Sequence, residues 1–156
     1  ALKERHPEVE LHLIGQLQSN KAEEAVALFD VIHSVDRLSL VTALGKAMEK
    51  LARAVPCFIQ VNIGAEEQKG GCSVAELPEL LKAAQEGDIP VAGLMCIPPA
   101  DVEAAPFFAL LAELSARYGL PQLSMGMSED FDTAIMMGAT YVRVGTALFG
   151  ARSSPA

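Results

Sequence analysis

Two stretches near the C-terminal end of the chain place small polar residues where backbone N–H groups are free. In "LSMGMSEDF" (123–131), Ser128 follows a short apolar run and precedes a helix-like segment. In "RVGTALFG" (143–150), Gly145 and Thr146 stand in the same position. A serine at a helix start caps the free N–H groups, and that is its commonest role when it is taken alone. The same N–H groups and the helix dipole also favour a bound anion. Gly145 lets a ligand approach the backbone closely, and Thr146 adds a hydroxyl and a backbone donor. Two such turns at adjacent strand ends are better read as two halves of a phosphate site. Arg143 lies two residues before Gly145 and on the same face of the pleat. A buried guanidinium keeps its charge and needs an acceptor, either a structural carboxylate or the body of a phosphorylated ligand.

Other reactive residue types point elsewhere. Cys57, Cys72 and Cys96 form an odd set without C-x-x-C spacing and read as reduced core or surface thiols. His12 and His33 sit on successive strand-like runs and are able to approach each other, but no third residue completes a metal spacing. No metal is therefore expected. The formal charge is −8 and the basic residues are scattered singly, so the clustered stripe of a nucleic-acid surface is missing. No apolar run reaches the roughly 18 residues of a membrane span, and no basic-then-apolar leader opens the chain. These features predict a cytosolic protein with a small-molecule partner.

The elements that must carry these residues alternate. Strand character marks "LHLIG" (11–15), "DVIHSV" (30–35), "PCFIQVNI" (56–63), "PVAGLMCI" (90–97), "PQLSM" (121–125) and "TYVRVG" (140–145). The runs are short and almost wholly apolar, as in a parallel sheet buried on both faces. Helical segments at 20–29, 36–54, 73–86, 105–118 and 129–138 separate them. Ser73 with Glu76 forms an S-x-x-E capping box at one helix start. In the longest helix Leu38, Val41, Leu44, Met48, Leu51 and Ala52 recur at spacings of three and four, predicting one apolar stripe against the sheet.

Strict βα alternation fits a doubly wound sheet or a (β/α)8 barrel. The first strand is not followed by a G-x-G-x-x-G turn, which argues against the dinucleotide-binding form. The paired C-terminal turns favour the TIM barrel, where loops after the last two strands commonly bind phosphate. Such a barrel takes about eight units and about 250 residues. This chain of 156 residues supplies six. "ALKERH" at its start reads as the end of a helix, so the expectation is one partial barrel domain over 1–156 whose first two βα units lie N-terminal to this sequence.

The segments "HLIGQLQSNKAEEAV", "IHSVDRL", "IQVNIGAEEQKGGC", "GLMCIP", "LSMGMSEDFDTAI" and "VRVGTALFGAR" together resemble the YggS/PROSC family of pyridoxal-phosphate homeostasis proteins. The likeness runs from about Leu11 to Arg152. It implies the barrel of the alanine racemase N-terminal type and pyridoxal 5'-phosphate as cofactor. It further implies that Ser128, Gly145 and Thr146 bind the cofactor phosphate, that Met127 and Ile14 line the pocket, and that Arg143 faces the pyridine nitrogen. A cation there disfavours ring protonation and makes the ring a poorer electron sink. The implied role is a cofactor carrier or buffer without strong catalysis, in transient contact with pyridoxal-phosphate enzymes.

The sequence departs from the family at one point of chemistry. The family's Schiff-base lysine and its G-E-N segment have no match here, and Lys21 and Lys69, the lysines nearest the motif loops, align with neither. No catalytic residue is assigned, and weak, non-covalent cofactor binding is expected of this chain by itself. The alternatives are a racemase-like enzyme acting on a small amino acid and a barrel that binds some other phosphorylated ligand. Of the two tyrosines, Tyr141 sits in a strand-like run and reads as core.

Overall fold

Each of the six strand-like runs enters one parallel sheet, and the strands pair in the order in which they occur in the chain. A computed structural model describes residues 2–153. Within it the chain runs α1 (Leu2–Arg5), β1 (His12–Leu13), a 3-10 turn (Ser19–Lys21), α2 (Ala22–Leu28), β2 (Val31–Val35), α3 (Leu38–Leu51) and β3 (Cys57–Gln60). It continues with α4 (Leu77–Glu86), β4 (Val91–Met95), α5 (Ala105–Arg117), β5 (Gln122–Met127), α6 (Phe131–Met136), β6 (Tyr141–Arg143) and α7 (Thr146–Phe149). Ala1, the first residue of the expected N-terminal helix end, lies outside the described residues. Among these, no helix is long and apolar enough to cross a membrane.

Strand order decides the architecture. A doubly wound sheet reverses its order at a switch point and carries helices on both faces. Here the order runs β1 to β6 without reversal, and the two apolar clusters lie on opposite faces of the sheet. The larger cluster joins Ile32, Ile59, Leu94 and Leu123 to the helix residues Val26, Leu44, Leu80 and Leu111. The smaller cluster contains no helix residue: Val31, Phe58 and Met95, with Ile14, Ile97 and Tyr141 packed against them. One face is helix-covered and the other is an inner face, so the sheet is six units of a (β/α) barrel. Alternation along each strand sorts the side chains: Ile32, Cys57 and Ile59 go to the helices, and Val31, His33, Phe58 and Gln60 go inward.

Local signals mostly act as read. Ser73 and Glu76 form the reciprocal bonds of the capping box, with the Glu76 N–H donating to Ser73 Oγ at 3.1 Å and the Ser73 N–H to Glu76 Oε2 at 2.8 Å, but they close the turn before α4, which starts later than expected, at Leu77. The stripe of α3 is rotated from the expected one. Leu40, Val41, Leu44, Ala47 and Met48 are buried, whereas Ala52 is the exposed left-handed cap after the helix, and Leu38 and Leu51 are 43% and 36% exposed. These two leucines lie at the helix ends, beyond the reach of the sheet. Near the N-terminus, Asp30 accepts from the Leu11 N–H at 2.8 Å and pairs with Lys3 and Arg53, which ties α1 and the segment after α3 to the β1–β2 corner. The Leu11 N–H and the Lys3 ammonium hold its carboxyl below the usual aspartate range.

The β4–β5 seam depends on a missing side chain. Gly93 is opposite Gln122, and a Cβ built at Gly93 would lie 1.8 Å from the Gln122 carbonyl oxygen. Backbone on both sides cannot rotate out of the way. Gly93→Ala is expected to destabilise the chain by about 3 kcal/mol through overpacking, read as a lower urea midpoint at unchanged slope.

Candidate functional site

The two C-terminal turns meet because β5 and β6 pair with Met127 opposite Arg143. Ser128 then lies one residue beyond the end of β5, and Gly145 two residues beyond the end of β6. Gly126 makes the first turn possible. Its φ is +99°, and an added Cβ would lie 2.6 Å from the Ala134 methyl group on α6. Any larger residue would push α6 off the strand end.

Ser128 does not cap α6, contrary to the simplest reading of its position. The turn into α6 is closed by Asp130, whose Oδ1 accepts from the Met127 N–H at 2.7 Å, and α6 has no side-chain cap bond. The Ser128 hydroxyl crosses to the other turn, where its oxygen accepts from the N–H groups of Gly145 at 3.2 Å and Ala147 at 3.1 Å. A carboxylate at position 130 supplies a better acceptor for the local N–H, which leaves the hydroxyl free to brace the second turn. Thr146 opens α7 and is exposed, and no atom lies within 4 Å of a Cβ built at Gly145. Donors therefore converge on one oxygen at an open rim, the arrangement in which an anion can be held.

Arg143 sits below that rim. Its Nη1 donates to the Ser124 hydroxyl at 2.7 Å and to the Ser124 carbonyl at 3.1 Å, and Nη2 donates to the Cys96 carbonyl at 2.9 Å. The structural carboxylate considered from sequence is replaced by two main-chain carbonyls. Nε is buried without a hydrogen-bond partner. Burial lowers the Arg143 pKa from the ordinary arginine value, yet arginine stays charged.

Behind the guanidinium runs a line of polar groups that the sequence reading did not assemble. Ser124 Oγ lies 2.8 Å from His33 Nδ1, His33 Nε2 lies 2.8 Å from His12 Nδ1, and His12 Nε2 lies 3.1 Å from Glu10 Oε1. His33 stacks on Phe58, with ring centroids 4.5 Å apart and planes 8° from parallel, and meets the Tyr141 ring edge-on at 5.8 Å. The approach of His12 to His33 allowed by their strands therefore forms, as a hydrogen bond. The available signal was Ser124, a hydroxyl inside an otherwise apolar strand, which needs a buried partner.

The other expected residues separate by depth. Met127 is 43% exposed at the rim beside Ser128. Ile14 is half-buried on β1's side of the inner face, against Val31, Phe58 and Met95. Lys69 donates to the Pro98 carbonyl at 3.2 Å and Lys21 pairs with Glu24 at 3.3 Å, so neither belongs to the Arg143 network. All three cysteines are buried, and burial pushes each thiol up to about 12, where no reactive thiolate forms at neutral pH. No group of three or more potential metal ligands occurs among the described residues.

The family model described as "Alanine racemase, N-terminal domain" matches residues 1–153. The chain belongs to this family. Within it, the chain is 42% identical to the pyridoxal phosphate homeostasis protein of Pseudomonas aeruginosa over 147 residues, covering 90% of this chain and 64% of that protein. The Aquifex aeolicus protein of the same name is 41% identical, with coverage of 93% and 68%. Thus the chain spans about two thirds of the length of these relatives. Among solved structures, Synechococcus elongatus PipY with pyridoxal phosphate bound superposes with a TM-score of 0.83 at 37% identity, covering 96% of this chain and 74% of PipY. The homeostasis-protein likeness therefore extends across the whole alanine racemase-type sheet described above.

His33 makes the inner face acid-sensitive. Burial, with the neighbouring His12 and Arg143 charges, lowers its pKa from 6.5 to about 3. The unfolded chain therefore binds the proton first, and folded stability is lost as pH falls from about 6.5 towards about 3. Denaturation midpoints measured between pH 7 and pH 4 are expected to fall less steeply in His33→Gln than in the parent chain; an equal slope would assign the acid loss to other groups.

Proposed function

We propose that this chain binds pyridoxal 5'-phosphate as a non-enzymatic member of a cytosolic cofactor-homeostasis system. The observation that carries the proposal is Arg143, with both terminal nitrogens engaged and Nε–H buried without a partner, beneath two turns whose donors converge on Ser128. These residues fit the cofactor at both ends. Ser128, Gly145 and Thr146 take the phosphate at the open rim, and Met127 flanks it. Arg143 offers Nε–H to the pyridine nitrogen, an acceptor as long as it is unprotonated, and Ile14 closes the apolar side. The names and bound ligand of the relatives support the same assignment.

When bound, pyridoxal phosphate supplies a ring that can accept electrons from an attached amino acid. Every contribution of this chain's site residues works against strong turnover. A fixed guanidinium at the ring nitrogen opposes its protonation and so weakens the electron sink. Among the described residues no lysine joins the Arg143 network, and Tyr141 is half-buried among His33 and Phe58. A carrier needs reversible binding through the phosphate and a ring held quiet, and these residues provide both. Transient hand-over to pyridoxal-phosphate enzymes follows from such a role.

Titration separates this reading from its competitors. Pyridoxal phosphate is expected to bind more tightly than inorganic phosphate, because only the former reaches Arg143. Ser128→Ala should weaken both ligands by about tenfold, the value of one hydrogen bond to a charged group. Borohydride treatment of the loaded 156-residue chain should leave its mass unchanged. Equal affinity for the two ligands would instead indicate a general phosphomonoester site, and racemisation of L-alanine by the loaded chain would overturn the non-enzymatic assignment.

A further inference from the structure

Arg143 is held from one side by a hydrogen-bonded line whose direction is set at both ends. A guanidinium only donates and an ionised carboxylate only accepts. Starting from Glu10, His12 must donate through Nε2, which in the neutral ring leaves Nδ1 as an acceptor. His33 then donates to it through Nε2, and its own Nδ1 becomes an acceptor. Ser124 donates its proton to that nitrogen, and its oxygen receives Nη1–H of Arg143. With both imidazoles neutral every member of the line is satisfied, and only one arrangement of protons achieves this.

We propose that Ser124 and His33 are positioning residues for Arg143, and that the line Glu10–His12–His33–Ser124 fixes the guanidinium so that Nε is its one nitrogen without a hydrogen-bond partner. The physical need is clear from the fold. Arg143 is at the end of the three-residue edge strand β6, and a long side chain there has many rotamers unless something holds its tip. The Cys96 and Ser124 carbonyls constrain the Nη groups from the strands, but the Ser124 hydroxyl could rotate away. His33 prevents this: it is 1% exposed, clamped between Phe58 and Tyr141, and accepts the hydroxyl proton. A buried polar network that is completely satisfied specifies one geometry. The line spans β1, β2, β5 and β6, so it also joins the two ends of the sheet across the inner face.

The inference rests on the cofactor reading for its consequence but not for its geometry, and two sets of measurements keep them apart. Two-bond nitrogen–proton spectra of the full 156-residue chain at about pH 8, where free imidazole is neutral, report the tautomers directly. Both His12 and His33 are expected to carry their proton on Nε2, and the Arg143 Nε–H is expected to exchange slowly. A proton on Nδ1 of His33 would overturn the proposal. In ligand titrations, Ser124→Ala should bind pyridoxal phosphate about tenfold more weakly while its affinity for inorganic phosphate is unchanged, with a shifted absorbance maximum of the bound ring. Ser124→Thr, which keeps the hydroxyl, should restore most of the loss, a rescue that a packing role alone would not give. Unaltered pyridoxal-phosphate affinity in a folded Ser124→Ala chain would overturn positioning. If the parent chain binds pyridoxal phosphate no better than phosphate, the cofactor reading falls, and the line is then decided by the tautomers and the Arg143 exchange rate.

Discussion

A guanidinium inside a parallel sheet cannot shed its charge, so the surrounding backbone must answer it. In this protein Arg143 is satisfied by carbonyls and a hydroxyl drawn from two neighbouring strands, β4 and β5. That requirement reaches far into the structure. The carbonyl of Cys96 is available because β4 has just ended there, and Ser124 is available because β5 continues through Met127. The hydroxyl of Ser124 is in turn held by an imidazole on β2. A charge at the edge of the sheet is thereby linked to strands at its centre and at its opposite edge.

The same pairing that delivers Arg143 also builds the rim. Because Met127 and Arg143 stand opposite each other, the chain leaves both strands at one level, and the two turns face each other. Ser128 is then closer to the N–H groups of the second turn than to those of its own helix. The serine joins two elements instead of ending one, and Asp130 takes over the local bond. Charge in the interior and a donor-lined rim at the surface are consequences of one register. The proposed function draws on this arrangement: a phosphate held at the rim would leave its attached ring towards the guanidinium.

Much of the fold could be read from residue patterns, for identifiable reasons. Short apolar runs rich in β-branched residues announce strands buried on both faces, and all six were paired in parallel. Boundaries were less legible. "LHLIG" shortened to a two-residue strand, and "PQLSM" extended to Met127, because strand length follows from what the neighbour offers as partner. Leu38 and Leu51 satisfied the helical period of α3 but lay beyond the sheet, where periodicity carries no information. The register shifts between Ile32 and Val35 and between Ser124 and Met127 likewise have no local signature.

For the site, residue types and the family likeness single out candidates: Ser128, Gly145, Thr146 and Arg143 are chemically suited to a phosphate and its attached ring wherever the chain puts them. Spacing along one strand was enough to place Arg143 and Gly145 on a common face. The partners of those groups were decided only in three dimensions. His12, His33 and Ser124 are separated by 21 and 91 residues, and a hydrogen bond between them depends on strand order and register, not on local preference. Local physics could say that a hydroxyl within an apolar strand needs a partner; only the strand order and register of the sheet could say that the partner is an imidazole, and that the imidazole is itself held by another.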